Sequence, residues 1–221
     1  QVPTDVTYNP SDLQLVNNTI SSDLPLIAQL NGPGEITSWE INASLPTGLN
    51  FGSNNGTIWG TPTELWPTTA YQIWANNTGG SVAGYLNITV VDQVPTLSYS
   101  PDVLELTNNT ASLDLPLHST LTGPGEITSW EINATLPNGI LFGGNNGTIW
   151  GTPTVVQLTP ITYTVWANNT GGSVSVTLNI TIADDLAVFS YPNSPYTIVR
   201  GYNMSDITPT VTSGTVVSWG I

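Results

Sequence analysis

The strongest constraint on this chain is that most of it is written twice. Residues 55–63 read NGTIWGTPT and residues 146–154 read the same, an offset of 91. GPGEITSWEINA at 32–43 returns at 123–134, and ANNTGGSV at 75–82 returns at 167–174, now offset by 92. One residue has therefore been added in the intervening loop. Even the joint recurs, since QVPT stands at 1–4 and again at 93–96. A period of about 90 residues matches one small domain, so the chain reads as a tandem array.

Within a repeat the local signals are all β. Gly, Pro and Asn punctuation arrives every 8–12 residues, the spacing of a sandwich. Asn55-Gly56 and Asn146-Gly147 predict two-residue type I′ hairpin turns. In Tyr163-Thr164-Val165-Trp166, alternation puts Tyr163 and Val165 on one face. In Leu86-Asn87-Ile88-Thr89-Val90 it turns Leu86, Ile88 and Val90 inward. No segment carries a helical period. The fold class expected is all-β, with tandem immunoglobulin-like, cadherin-like β-sandwich domains over 1–92 and 93–185. Residues 186–221 read as the N-terminal part of a third, incomplete repeat: Ser194-Pro195 matches Ser100-Pro101, and the stretch from Val217 to Ile221 loosely matches Ile127–Ile132. Trp219 and Ile221 stand where core residues are expected. The short, Pro-containing joints favour a semi-rigid rod.

The run Leu45-Pro46-Thr47-Gly48-Leu49-Asn50-Phe51, followed by Gly56-Thr57-Ile58-Trp59-Gly60-Thr61-Pro62-Thr63, resembles the immunoglobulin-like repeats of large microbial surface proteins. These are related to dystroglycan-type cadherin-like domains. Leu136–Phe142 and Gly147–Thr154 repeat the pattern, and Tyr163-Thr164-Val165 with Ala167-Asn168 and Thr170-Gly171-Gly172-Ser173 completes it. The style of the sequence is most similar to giant repeat proteins of archaea. The resemblance implies an extracellular or cell-surface location and a spacer, adhesin or shell role, because a shared fold does not carry an activity with it.

Composition narrows the partners. Charged residues make up only 7% of the chain, and 15 Asp and Glu face a single Arg and no Lys, for a net charge of −14. Nucleic acid is excluded as a partner, since phosphate backbones are held by Lys and Arg. Cys is absent, so no disulfide supports the fold, which leans toward a microbial surface. No apolar stretch reaches the 18 or so residues that span a bilayer, and the N-terminus has neither the basic start nor the apolar run of a signal peptide.

With so few charges, something else must hydrate the surface, and N-glycans are the expected covalent group. Eleven asparagines sit in Asn-x-Ser/Thr: Asn17, Asn42, Asn55, Asn76, Asn87, Asn108, Asn133, Asn146, Asn168, Asn179 and Asn203. Chance in so Asn- and Thr-rich a chain gives about five. Placement argues further: Asn87 and Asn179 fall on outward strand positions, Asn55 and Asn146 at hairpin tips, Asn76 and Asn168 in loops. Against this stands a bare Asn/Thr-rich β surface.

The tryptophans divide into two kinds. Trp39 and Trp130 share a strand face with Ile41 and Ile132 and are expected in the core. Trp59 and Trp150, and likewise Trp74 and Trp166, are out of phase with their inward neighbours and should face out. Trp74 and Trp166 each precede a sequon Asn by two residues, which suggests a sugar stacked on the indole. The competing uses are contact with a neighbouring copy and a platform for foreign carbohydrate.

No catalytic constellation emerges, and an enzyme is not expected. A glycosidase needs two carboxylates about 5–10 Å apart across a cleft. Glu35 and Glu40, like Glu126 and Glu131, would face opposite sides of one strand. His118 is the only His and takes the place of Ile27, the position of a surface filler. No metal or other cofactor is called for; the residual metal reading is a calcium ion at a domain junction, with Asp92, Asp102, Asp184 and Asp185 as its weak candidates. The expected function is structural: a glycosylated stalk, filament or sheath at a cell surface, with copies of itself and neighbouring repeats as partners. The alternative is an adhesin or carbohydrate-binding surface protein that uses exposed Trp.

Overall fold

The computed structural model describes residues 1–192, 195–203, 205–214, 216 and 218–220. Ser194, Val217 and Ile221, which the sequence pattern assigns to a third repeat, lie outside the described residues. No helix occurs among those described. The first copy contributes β1 (Asp5–Thr7), β2 (Asp12–Val16), β3 (Gln29–Asn31), β4 (Ser38–Ile41), β5 (Leu49–Phe51), β6 (Ile58–Gly60), β7 (Trp66–Asn77) and β8 (Gly80–Val91). The second repeats them as β9 (Thr96–Ser98), β10 (Val103–Thr107), β11 (Thr120–Thr122), β12 (Ser129–Ile132), β13 (Ile140–Phe142), β14 (Ile149–Gly151), β15 (Gln157–Asn169) and β16 (Gly172–Ala183). Two further strands follow, β17 (Val188–Ser190) and β18 (Thr210–Ser213).

Each copy builds the same four-stranded sheet, ordered β2-β8-β7-β4 in the first and β10-β16-β15-β12 in the second. The first strand of each joins parallel to the last. The remaining strands form two-stranded pairs, β1-β3 and β5-β6, then β11-β9 and β13-β14. Compact clustering divides the chain into one unit of Gln1–Thr96, Thr122–Thr128 and Asn168–Val174, and another of Leu97–Leu121, Ser129–Ala167 and Ser175–Ile221.

Strand alternation accounts for the core. Leu13 and Leu15 on β2, Tyr71, Ile73 and Ala75 on β7, and Leu86, Ile88 and Val90 on β8 are all buried. Trp39 on β4 of the same sheet joins them, and Val6, Leu26 and Ile58, from outside that sheet, belong to the same cluster. Burying each Val, Leu or Ile among them contributes about 1.5–3 kcal/mol. The second copy buries the equivalents, among them Leu104, Tyr163, Val165, Leu178, Ile180 and Trp130.

Two expectations about local geometry are corrected. A type I′ turn at Asn55-Gly56 requires positive φ at both residues. Only Gly56 has it, at 66°, and Gly147 repeats the value. The connection is longer instead: Gly52 N–H donates to Thr57 O at 2.8 Å, and Gly56 N–H returns to Gly52 O at 2.7 Å. Glu35, moreover, precedes β4 and does not share a strand with Glu40.

Candidate functional site

The loop between β5 and β6 is pinned from beneath by the core. The Tyr8 hydroxyl, buried at the end of β1, donates to Gly56 O at 2.7 Å, and Tyr99 does the same to Gly147 O at 2.5 Å. Burial pushes both phenols well above their usual range, because a phenolate there would lose its water. The Trp39 ring lies directly under Gly56, where a Cβ would come 2.5 Å from it, and Trp130 lies likewise under Gly147. Gly is therefore required at 56 and 147 for space as well as for φ.

The sequon Asn of this loop has the same pose in both copies. Asn55 Oδ1 accepts the Thr57 N–H at 3.0 Å, and Asn146 Oδ1 accepts the Thr148 N–H at 3.0 Å. This is an Asx turn closed by the third residue of the sequon itself. Both asparagines are exposed. Asn42 and Asn133, exposed just after β4 and β12, use their side-chain oxygens differently, accepting the N–H groups of Gln72 and Thr164 at 3.0 Å.

The remaining sequons sit in more constrained places. Asn76 and Asn168 are not in loops: they lie near the ends of β7 and β15, half-buried on the outward face. The alternation that buries Ala75 and Ala167 turns them out, and the strands run through them before the Gly-Gly turn. Asn76 Oδ1 accepts the Ser81 hydroxyl and Asn168 Oδ1 that of Ser173. Asn87 and Asn179 face outward on β8 and β16. Asn87 Nδ2 donates to Asp12 at 2.7 Å, while Asn179 accepts the Thr162 hydroxyl at 2.6 Å. Asn17 and Asn108 follow β2 and β10 half-buried, and their Oδ1 atoms are buried without a partner among the described residues. Asn108 Nδ2 donates to Asp184 at 3.0 Å. Asn203 is exposed.

Trp59 and Trp150 stand out from β6 and β14, 43% and 38% exposed. Trp74 and Trp166 are half-buried on the outer face of the four-stranded sheets, Trp74 opposite Glu40 on one side and Ala83 on the other. Each shares that face with Asn76 or Asn168, two residues on.

The four aspartates named as calcium candidates have separate surroundings. Asp92 is buried and accepts the Thr170 hydroxyl at 3.1 Å, Asp102 is exposed, and Asp184 is bound by Asn108. Asp185 accepts from the Leu186 N–H and the Ser213 hydroxyl. Among the described residues no three of His, Cys, Asp and Glu come together to hold an ion. His118 is exposed and lies 3.3 Å from the Thr148 hydroxyl.

Sequence reasoning missed the tyrosine pins and the glycines at 52 and 143. The signal for the first was present, since Tyr8-Asn9-Pro10 returns as Tyr99-Ser100-Pro101.

The sequence profile of the family described as "Putative Ig domain" matches twice, over residues 3–91 and 94–183. Curated relatives include the serine-rich adhesin for platelets of Staphylococcus aureus strains MRSA252 and MSSA476, each 27% identical over 136 residues. The match takes in 60% of this chain but only 10% and 6% of those proteins, so the chain spans a small fraction of their length. These relatives are bacterial, and nothing in them points to an archaeal source. Similar solved structures include Drosophila OTK extracellular domains 3-5, 15% identical, covering 83% of this chain and 63% of that one, with a TM-score of 0.48. Human protocadherin-24 EC1-2 is 12% identical, covering 83% of this chain and all of that one, with a TM-score of 0.35.

Proposed function

The chain belongs to the "Putative Ig domain" family, and on that premise we propose that it is a structural segment of a cell-surface protein, a glycan-coated stalk, filament or sheath. The observation that carries this reading is that no sequon asparagine is fully buried: Asn42, Asn55, Asn133, Asn146 and Asn203 are exposed and the other six half-buried. A chain with so little charge and so many reachable sequons hydrates its surface with sugars. An extracellular setting suits both the chemistry and the surface adhesins it resembles. Neighbouring repeats and further copies of the chain are the partners of such an array.

A second reading is favoured by the exposed Trp59 and Trp150 and by the naming of the relatives. In it the same repeats belong to an adhesin that offers these indoles to foreign carbohydrate. Glycopeptide mass spectrometry of native material, followed by imaging at side-chain resolution, separates the two. Occupied sequons with the indoles covered by sugars or by other copies support the structural array. Bare asparagines beside an open Trp surface reject it in favour of the adhesin.

A further inference from the structure

Asn55 and Trp59 are four residues apart on opposite limbs of the β5–β6 loop, and sequence alternation does not relate them. The structure brings them to one glycine. A Cβ built on Gly52 would lie 2.1 Å from Asn55 Oδ1 and 3.3 Å from the Trp59 ring. In the second copy a Cβ on Gly143 would lie 2.3 Å from Asn146 Oδ1 and 3.2 Å from the Trp150 ring. The bare glycine backbone thus forms a floor beside which both the amide oxygen and the six-membered edge of the indole lie.

The amide is oriented for use. Its oxygen is held by the Asx turn, and among the described residues Nδ2 of Asn55 and of Asn146 donates to no protein group. This contrasts with Asn87 and Asn108, whose Nδ2 atoms are spent on the carboxylates of Asp12 and Asp184. The pairing persists in both copies while other surface pairs have changed. The Gln72–Tyr85 hydrogen bond of the first copy, for example, is replaced by Thr164 and Thr177 in the second.

We propose that Asn55 and Asn146 are glycosylation sites whose first sugar is seated on the neighbouring indole, Trp59 and Trp150 respectively. The inference rests on the glycan-coat reading and deepens it. In the covalent step the amide nitrogen attacks the anomeric carbon of an activated glycosyl diphosphate. The N–C1 bond forms, the C1–O bond to the diphosphate breaks, and one amide proton is lost to solvent. The apolar face of the pyranose then covers an indole that is otherwise open to water, and Gly52 or Gly143 leaves the space between them. The sugar fills a role that a neighbouring side chain fills in the core.

The test uses the natively glycosylated chain and its Trp59→Ser variant, with site occupancy read by glycopeptide mass spectrometry and sugar protons read by NMR. The expected result is an occupied Asn55 whose first-sugar protons are shifted upfield by the ring current. In Trp59→Ser that shift is lost while occupancy is kept. Asn55→Asp, which removes the glycan, keeps an oxygen to accept the Thr57 N–H and adds one negative charge, should raise the accessibility of Trp59 to a neutral collisional quencher. An occupied Asn55 with unshifted sugar protons overturns the seating and leaves the glycan coat standing. A bare Asn55 beside other occupied sequons also overturns this inference alone. Eleven bare sequons overturn both.

Discussion

The opening strands of the second repeat and the stretch after Leu186 start from the same pattern and end differently. Leu97, Tyr99 and Trp130 are 9%, 5% and 8% exposed. Their counterparts Phe189, Tyr191 and Trp219 are 49%, 45% and 54% exposed. The strand pairing is nonetheless repeated, with β17 joined to β18 as β9 is to β11. The three aromatics gather on themselves: Phe189 meets Trp219 edge-on at 5.0 Å and Tyr191 at 6.2 Å. In the second repeat the long β15–β16 hairpin supplies the inward side chains. Among the described residues no such hairpin covers β17 and β18. A two-stranded pair is set by local sequence, whereas burial requires a second layer.

The largest contrast should appear at the tryptophans. Trp130→Ala is expected to cost the second repeat about 3–5 kcal/mol. Trp219→Ala should stay within about 0.5 kcal/mol. Chemical denaturation followed by near-UV circular dichroism measures both, and equal losses would break the comparison. Glycine comes next. Gly147→Ala places a methyl 2.4 Å from the Trp130 ring at a φ of 66° and should cost about 1–3 kcal/mol, whereas Gly220 has no neighbour within 4 Å and should accept Ala freely.

Tyrosine gives a smaller contrast and a pH signature. Tyr99→Phe leaves Gly147 O unpaired in the core and should cost about 1–3 kcal/mol, with Tyr191→Phe neutral. Burial raises the folded pKa of Tyr99 above its unfolded value of about 10. The stability it contributes is therefore fully present below about pH 10 and is lost as pH rises beyond it. Stability measured across alkaline pH should fall less steeply for Tyr99→Phe than for the wild type.

The smallest effect distinguishes the two full repeats. Glu64 accepts the Thr47 hydroxyl at 2.6 Å and the Thr47 N–H at 2.9 Å, which holds its carboxyl below the usual range. The second repeat has Val155 there. The contribution of Glu64 is present above the ordinary carboxylate range and fades as pH falls through its lowered pKa. An NMR titration of wild type and Thr47→Val should show the Glu64 pKa return toward normal in the variant. An unchanged pKa would remove the contact from the account.

Much of the fold is legible in the sequence because a strand's period of two is short and strict. Leu86, Ile88 and Val90, or Tyr163 and Val165, face inward as alternation requires, and Trp39 with Trp130 joins them. The site is less legible. Alternation turns Asn76 and Asn168 outward but does not say that the strands extend far enough to include them. The Asn-Gly pairs signal a turn, but its type follows from the Tyr8 hydroxyl and the Trp39 ring that clamp Gly56 from 48 and 17 residues away.

The sequence by itself determined the tandem duplication, the all-β class, the inward and outward residues of each strand, and the sequons. These depend on periodicity and short-range chemistry, which a linear string records. Only the tertiary structure decided that the Tyr8 and Tyr99 hydroxyls and the Trp39 and Trp130 rings pin the loops at Gly56 and Gly147, which asparagines have an uncommitted amide, and which indole Asn55 and Asn146 each meet. Those properties depend on groups distant in the chain arriving at one place, and a hydrogen bond or a contact is made or lost over less than an ångström.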